Sequence, residues 1–484
     1  MSEKAEKKQR SELLVVAIYF AIVGIFWGFV PAPAPLTPVG VRVLGLFFAF
    51  IVGFTMTEHP WVHIVSFILA MFTGVFPNIA AMMPSTWGGD TFLFMVLLFI
   101  VIEYLRQSGF SKFLSAWLLT RPFLTGHPYR IVGMLMIIAW LLAIFVGIFA
   151  GLLLTWGFIY QICGIVGYKK HSPQACAMVF GVTLVGALSL STIPFLHNAL
   201  VIIAAFTGST GLQVNLIHYL LYAVPENLAI IALYLVMLKV LWRVDFSAMK
   251  EMTIDFIPKE DLVFTKQVKM SFAFLIALVV LVFAPNILPA GTPVQAALKA
   301  IGNSGITMIL FVIWSLIKID GKEIFNVQDL AKYGIPWNMV FCSLAIFTFI
   351  ALLGNASTGI SAFVGSFLGP IFVGKPAWLF IILSMVITII LTNFMANMVV
   401  AVVMFAACLP IGGTLGIDPM QLGFLYTLCS SMAFLLPAAS PAGMLVFMNK
   451  EWMTTGEIYK YAIPTIIMMA IVAYVWNIIL FMFI

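Results

Sequence analysis

The polar residues best equipped to do chemistry sit where this chain is most apolar. In LTNFMANMVVAVV (391–403), Thr392, Asn393 and Asn397 interrupt an apolar run that extends well beyond them on both sides. A neutral amide in hydrocarbon must find hydrogen-bond partners, because lipid tails offer none. Either neighbouring helices satisfy these groups, or the backbone breaks there and they face water and a ligand. SSMAFLLPAASPAGMLVF (430–447) poses the same choice. Pro441 lacks an N–H and clashes one turn back, so Ala438–Gly443 cannot be regular helix, and Ser440 and the freed carbonyls become available. SLSTIPFLHNALVI (189–202) adds Ser191, Thr192, His197 and Asn198 around Pro194. Groups of this kind can coordinate a cation or hydrogen-bond an anion. Half-helix N-termini at such breaks add positive charge that suits carboxylates.

Other ionisable groups have simpler explanations. His197 can carry a proton in mid-membrane, although a neutral hydrogen-bonded ring is the ordinary reading. In AVPENLAII (223–231), Pro225 reads as the start of a span. Glu226 is then a first-turn residue complementing the helix dipole near the interface, not a proton relay. Glu103 and Arg106 are spaced for a local ion pair. The histidines are scattered, no aspartate pair occurs, and GxxxxGK[ST] is absent, which argues against an enzyme and against ATP-driven transport. The five cysteines lie in or beside apolar segments without metal-ligand spacing, so no disulfide framework, metal centre or cofactor is expected.

The elements that position these residues are membrane helices. Of the 484 residues 63% are hydrophobic and 9% charged, against about 25% charged in soluble domains. The basic balance lacks the aromatic-interleaved patches of a nucleic-acid binder and reads as a topology signal. No signal peptide is expected, because MSEKAEKKQRSE is a charged N-terminus followed by an apolar stretch too long for an h-region. Segments of span length, roughly 17–25 residues, fall near 13–30, 41–57, 63–83, 92–109, 225–242, 269–288, 301–317, 336–354 and 458–483. The stretches 129–163 and 376–411 would overshoot a bilayer by about 20 Å as single helices. Both read as helical hairpins that stop halfway and return, the first with its tip within FVGIFAGLLLT (145–155). The stretches 173–206 and 420–449 are long and broken by proline.

With the N-terminus in the cytoplasm and hairpins entering from opposite faces, almost all lysines and arginines fall on the inner side. The outside receives only Arg42, Lys299 and Lys375, as the positive-inside rule requires. TFLFMVLLFIVIEYLRQSGFSKFLSAWLLT (91–120) echoes WNMVFCSLAIFTFIALLGNASTGISAFVGSFLG (337–369), an offset of about 245 residues. Each begins a span, hairpin and broken helix, which makes an inverted repeat, the mark of secondary transporters with binding sites at the midplane. The expected organisation is a cytoplasmic N-terminus (1–12), scaffold helices (13–90), a first repeat (91–242), a solvated cytoplasmic linker (243–268), scaffold helices (269–335) and a second repeat (336–484). The first repeat holds hairpin 129–163 and broken helix 173–206. The second holds hairpin 376–411, broken helix 420–449 and last helix 458–483. The fold class is an all-α polytopic membrane protein with about 11 transmembrane helices and two opposed re-entrant hairpins.

Together these residues resemble the divalent anion/sodium symporter family of di- and tricarboxylate carriers. FVPAPAPLTPVGVRVLGLFFAFIVG is similar to its first two helices, and the stretch from LTNFMANM to SPAGMLVF resembles its second hairpin and broken helix. There a Ser-Asn-Thr tip precedes Leu-Pro-x-Ala-(Ser/Thr)-Pro-Pro-Asn. Ala396-Asn397-Met398 occupies the first motif here, and Ser440-Pro441-Ala442-Gly443 the end of the second. The resemblance implies an elevator carrier, a homodimer in the plasma (inner) membrane. It implies a small organic anion as substrate and sodium as coupling ion. Substrate contacts would be Thr392, Asn393, Asn397, Ser440, Pro441, Thr192 and Asn198, and sodium sites would involve Asn397, Ala396, Ser440, Gly147 and Gly151. The chain departs from the pattern: the first tip lacks Ser-Asn-Thr, and Phe195-Leu196-His197-Asn198 stands where Ser-Pro-Pro-Asn is expected. Sodium-independent exchange, proton coupling to a less charged substrate, or a binding paralogue that does not transport remain alternatives.

Overall fold

The computed structural model describes all residues except 1, 2, 58, 253–256, 361, 365, 367–369, 371–374, 395, 396, 438 and 482–484, and at 3–11 and 55 the backbone alone. Among the described residues nine helices are long and apolar enough to cross a membrane, or up to eleven if each of two bent pairs is one span. The protein is therefore a polytopic helical membrane protein.

Helices α1 (Glu3–Gly28), α2 (Pro38–Met56), α3 (Trp61–Ala70) and α4 (Ile79–Met82) lead into a first series. That series runs α5 (Asp90–Gln107), α6 (Phe110–Leu119), α7 (Pro128–Phe145), α8 (Ile148–Val166), α9 (Pro173–Leu188), α10 (His197–Thr210) and α11 (Leu216–Val240). Next come α12 (Lys266–Ile287), α13 (Pro293–Ser315) and α14 (Val327–Gly334). The second series runs α15 (Trp337–Leu353), α16 (Ala377–Phe394), α17 (Asn397–Thr414), α18 (Pro419–Ser431), α19 (Pro441–Met448) and α20 (Thr455–Phe481).

Many starts follow one chemical rule. A cap residue whose side chain accepts a backbone N–H is followed by proline, whose missing N–H would be orphaned there anyway. Thr37-Pro38, Ser172-Pro173, Thr292-Pro293, Asp418-Pro419 and Ser440-Pro441 begin α2, α9, α13, α18 and α19 in this way.

The two series pack alike. Hairpin α7–α8 lies against α9 and, through α8, against α19; hairpin α16–α17 lies against α18 and, through α17, against α10. α9 touches α19, α18 touches α10, and α11 touches α20. Exchanging the two series leaves this pattern unchanged. The span that opens each series is preceded by a short helix set at a sharp angle, 59° before α5 and 76° before α15. α9 and α18 are buried on nearly every side, as helices apolar all round must be.

On one face, the last turns of α8 and the loop after it are tied to the loop after α19 and the start of α20. Tyr160 stacks on Trp452 at 4.2 Å and 8° and accepts a 2.8 Å bond from Asn449 Nδ2. Lys170 pairs with Glu451, and His171 Nδ1 lies 3.0 Å from Glu457 Oε2. Exposed pairs of this type contribute at most about 1 kcal/mol each.

Four expectations need correction. No single helix covers 63–83: α3 ends at Ala70, and α4 is one turn long. Each hairpin arm is 18 or 19 residues, about 27 Å or more at 1.5 Å per residue, so the arms have full span length and are longer than half-crossings. The two arms of each hairpin pack against each other. The linker is not wholly solvated, since Phe246 and Met249 are buried and Tyr129 Oη donates to the Val244 carbonyl at 2.7 Å.

The fourth correction concerns Glu226. α11 begins at Leu216, with Asn215 Oδ1 accepting from Ile217 N at 2.9 Å, and runs straight through Pro225. Glu226 is therefore mid-helix and 1% exposed. Membrane helices tolerate an internal proline where neighbours supply hydrogen bonds to the disturbed turn. Here Trp476 Nε1 of α20 donates to the Tyr222 carbonyl at 3.0 Å.

α13 breaks at Gly302 (φ 70°, ψ 173°). The Asp90 carboxylate holds the break, accepting from Asn303 N at 3.2 Å, Ser304 N at 3.1 Å and the Ser304 hydroxyl. Asp90→Ala is expected to cost about 1 kcal/mol, as for loss of a helix cap, read as a lower melting temperature in detergent.

Candidate functional site

Both broken helices interrupt in short non-helical segments. In the first, α9 passes through a 3-10 turn (Ser189–Ser191), and α10 starts at His197. In the second, α18 ends at Ser431 and α19 starts at Pro441. The first hairpin turns at Val146–Gly147, and Gly147 adopts φ 101°, ψ 150°, a conformation only glycine tolerates cheaply. In the second hairpin, α16 ends at Phe394 and α17 begins at Asn397.

Hydrogen bonds knit these breaks together. Thr192 Oγ1 accepts from Trp140 Nε1 of α7 at 3.0 Å and from Asn227 Nδ2 of α11 at 2.8 Å. Tyr219 Oη donates to the Ser191 carbonyl at 2.5 Å. Asn198 Nδ2 donates to Ser430 Oγ of α18 at 3.1 Å, and Thr392 Oγ1 donates to the Ser430 carbonyl at 2.7 Å. Ser430 thus joins the start of α10, the end of α16 and the end of α18. Asn393 Nδ2 donates to the Met432 carbonyl at 2.9 Å, and its Oδ1 accepts from Leu435 N at 2.8 Å. Ser440 Oγ caps α19 by accepting from Gly443 N at 3.0 Å, and it donates to the Ala433 carbonyl. A Cβ on Gly443 would lie 3.0 Å from the Leu436 carbonyl oxygen, so a larger residue there would press on the backbone of the turn.

The residues singled out in the sequence therefore divide. Thr392, Asn393, Thr192 and Ser440 spend their polar groups on neighbouring elements, and Pro441 is the first residue of α19. Gly151 is a packing residue: a Cβ there would sit 2.7 Å from Ala143 N across the hairpin. Its carbonyl accepts from Thr155 Oγ1 at 2.8 Å, while the Gly147 carbonyl accepts from Gly151 N at 2.9 Å. Ala396 lies outside the described residues. Two residues keep a free group. Asn397 uses Oδ1 on Met398 N at 3.2 Å, but its buried Nδ2 has no partner; Asn198 Oδ1 is likewise buried and unpartnered. Thr392→Val is expected to cost about 1 kcal/mol of stability, the net worth of one hydrogen bond, without loss of ligand binding.

The structure adds His197, which the sequence left as an ordinary ring. It begins α10 at φ 48°, a left-handed conformation costly for a non-glycine residue, and its Nε2 is buried without a partner. Leu196 before it supplies no side-chain cap, so the first N–H groups of α10 are free for an anion. Strained backbone with unpartnered polar atoms clusters at functional sites. The signal in the sequence was histidine beside asparagine directly after a proline break.

A cavity of about 1050 Å³ reaches this region. It lies between one stripe of α10 (Leu200, Ile203, Ala204, Thr207) and parts of α5, α12, α13 and α15, and it ends at Pro194 and Phe195. Asp90 and Lys299 are on its wall. None of Thr192, His197, Asn198, Asn397 and Ser440 lines it. Among the described residues no group of three His, Cys, Asp or Glu side chains could hold a metal ion.

No family model matches the chain. Over 132 residues, 27% of the chain, it is 33% identical to mouse solute carrier family 13 member 1, covering 22% of that protein. It is 30% identical to the human protein of that name over 132 residues, again 27% of this chain and 22% of the other. Over 153 residues it is 28% identical to sodium-dependent high-affinity dicarboxylate transporter 3 of Caenorhabditis elegans, 29% of this chain and 26% of that one. The matched stretches thus span about a quarter or less of these relatives. Among solved structures, the YdaH transporter of Alcanivorax borkumensis superposes over 97% of both chains with a TM-score of 0.55 at 14% identity. MtrF of Neisseria gonorrhoeae, described among antimetabolite efflux pumps, superposes over 96% of this chain and 94% of that one with a TM-score of 0.55 at 13% identity. A stretch of this chain is related in sequence to solute carrier family 13 and to a sodium-dependent dicarboxylate transporter, as the resemblance to the divalent anion/sodium symporters anticipated, and the whole chain has the fold of a membrane transporter.

Proposed function

We propose that the chain is a secondary active carrier of small organic anions of the di- or tricarboxylate class. The observation that carries this reading is a set of buried, unpartnered polar atoms, Asn397 Nδ2 at the second hairpin tip and Asn198 Oδ1 and His197 Nε2 at the first helix break. Leaving such groups unmatched costs about 1–3 kcal/mol each, a cost that a polar ligand removes on binding. An amide donor and an uncapped helix start favour a carboxylate. The exchange-invariant packing of the two series supports an inverted repeat with its site between the repeats. The α10-lined cavity, on the side of Lys299, supports an entry path from outside with the N-terminus in the cytoplasm. In the elevator mechanism hairpins and broken helices move as one body past the scaffold, in a homodimer held in plasma-membrane lipid. The stacked and ion-paired loops around Tyr160 and Trp452 suit that role, because they fasten the two series together. Sodium is the expected coupling ion, given the sodium-dependent relative.

The test is uptake of labelled succinate, citrate and lactate by purified protein in liposomes, with and without a sodium gradient. Succinate or citrate uptake that needs inward sodium is expected. Uptake of lactate alone, or none, contradicts the substrate class, and uptake indifferent to sodium contradicts the coupling.

A further inference from the structure

We propose that Glu226 is a proton-binding site and that its proton moves with the transport cycle. Glu226 stands eleven residues into the 25-residue α11, about 15 Å from its start at 1.5 Å per residue, hence near the middle of a bilayer. Its Oε1 has no hydrogen-bond partner, and among the described residues no lysine, arginine or histidine pairs with it. The surroundings explain why a proton belongs there. The Tyr222 hydroxyl lies beside both the Glu226 carboxyl and the Asn477 amide of α20. Asn477 Nδ2 is already committed to the Gln421 carbonyl at 3.0 Å, leaving its Oδ1 unpartnered. Leaving aside the weak thiol donor of Cys429, the cluster therefore holds two unpartnered acceptors, Glu226 Oε1 and Asn477 Oδ1, and one free donor, the Tyr222 hydroxyl. A proton on the carboxyl supplies the missing donor and removes an uncompensated charge from the membrane interior.

No other group nearby takes that place. Facing Glu226 are Tyr219 and Tyr222 on its own helix and Cys429 on α18. On the other helices packed against α11, charged residues stand only in terminal turns: Arg130 on α7, Lys266 and Lys269 on α12, and Glu457 and Lys460 on α20. α9 carries none.

The link to transport is built into the neighbouring residues. Tyr219, two turns before Glu226, and Asn227, next to it, grip the first break through the Ser191 carbonyl and Thr192 Oγ1. Cys429 precedes Ser430, which binds Asn198 and Thr392. Any change in charge at Glu226 thus acts one residue away from contacts that shape the candidate anion site on two elements. Proton and anion occupancy are then coupled, which by linkage is reciprocal.

Two measurements decide the matter, and only the second rests on the carrier reading. Infrared difference spectra between acid and alkaline buffer, taken on protein in lipid nanodiscs, should show a carboxylic-acid band that disappears on alkalinisation. Glu226→Asp should keep such a band at a shifted position, and Glu226→Gln should lack it; the same band persisting in Glu226→Gln overturns the site. In liposomes, an inward proton gradient should accelerate succinate exchange by the native protein. Glu226→Gln should exchange at one rate whether or not the gradient is imposed, and gradient acceleration retained in that variant overturns the coupling. If the native protein moves no succinate at all, the substrate reading has failed, and the infrared result alone decides the proton site.

Discussion

Asn397→Ala is expected to lower succinate uptake by more than about tenfold, the loss of one hydrogen bond to a charged ligand at about 1.5–3 kcal/mol. Its effect on stability should be small. The variant loses the Oδ1 bond to Met398 N, a single local hydrogen bond worth about 1 kcal/mol. It also removes a buried donor that has no partner within the protein, and that removal offsets the lost bond. Unchanged melting temperature with lost uptake is the expected pair of results. Lower stability with normal uptake would mean that Asn397 serves only to hold the hairpin together. Purified protein gives both measurements, by thermal unfolding in detergent and uptake in liposomes.

Gly151→Val should have the largest effect on folding. The first hairpin closes so tightly that a Cβ at 151 would lie 2.7 Å from Ala143 N and 3.1 Å from its Cα. Backbone cannot yield as a flexible side chain does, so the arms must part. Overpacking of this kind costs about 1–3 kcal/mol or more, and the variant should unfold at lower temperature or fail to express. Gly157→Val is the control, since nothing lies within 4 Å of its position. Equal loss in both variants would show that helix propensity, and not hairpin closure, sets the effect.

The breaks were legible because proline and glycine write them directly. Pro194 and Pro437 lie inside the interrupted segments, Pro441 starts α19, and Gly147 marks the first tip within the stretch expected. Glu226 shows where the reading failed. Pro225 resembles a helix start when only the following apolar residues are weighed. The preceding NLIHYLLYA is equally apolar, and Asn215 caps it. Partners from other elements decide that a helix runs through its proline, and α20 lies some 250 residues away in sequence. The same holds for Thr392 and Asn393. Their side chains could be identified as polar groups in an apolar run, but their partners, the carbonyls of Ser430 and Met432, come from a segment that no local pattern pairs with them. His197 was visible as a residue, whereas its positive φ is a property of the finished turn.

The proposed carrier requires that water reach the hairpin tips, where Asn397 keeps an unpartnered amide. Single cysteines placed by Ile148→Cys and Met398→Cys, in protein whose five native cysteines are replaced, test it most directly. Both should react with a small water-soluble thiol reagent that enters from the aqueous phase. Reaction of either only with a lipid-soluble reagent would put that tip in hydrocarbon and contradict the account.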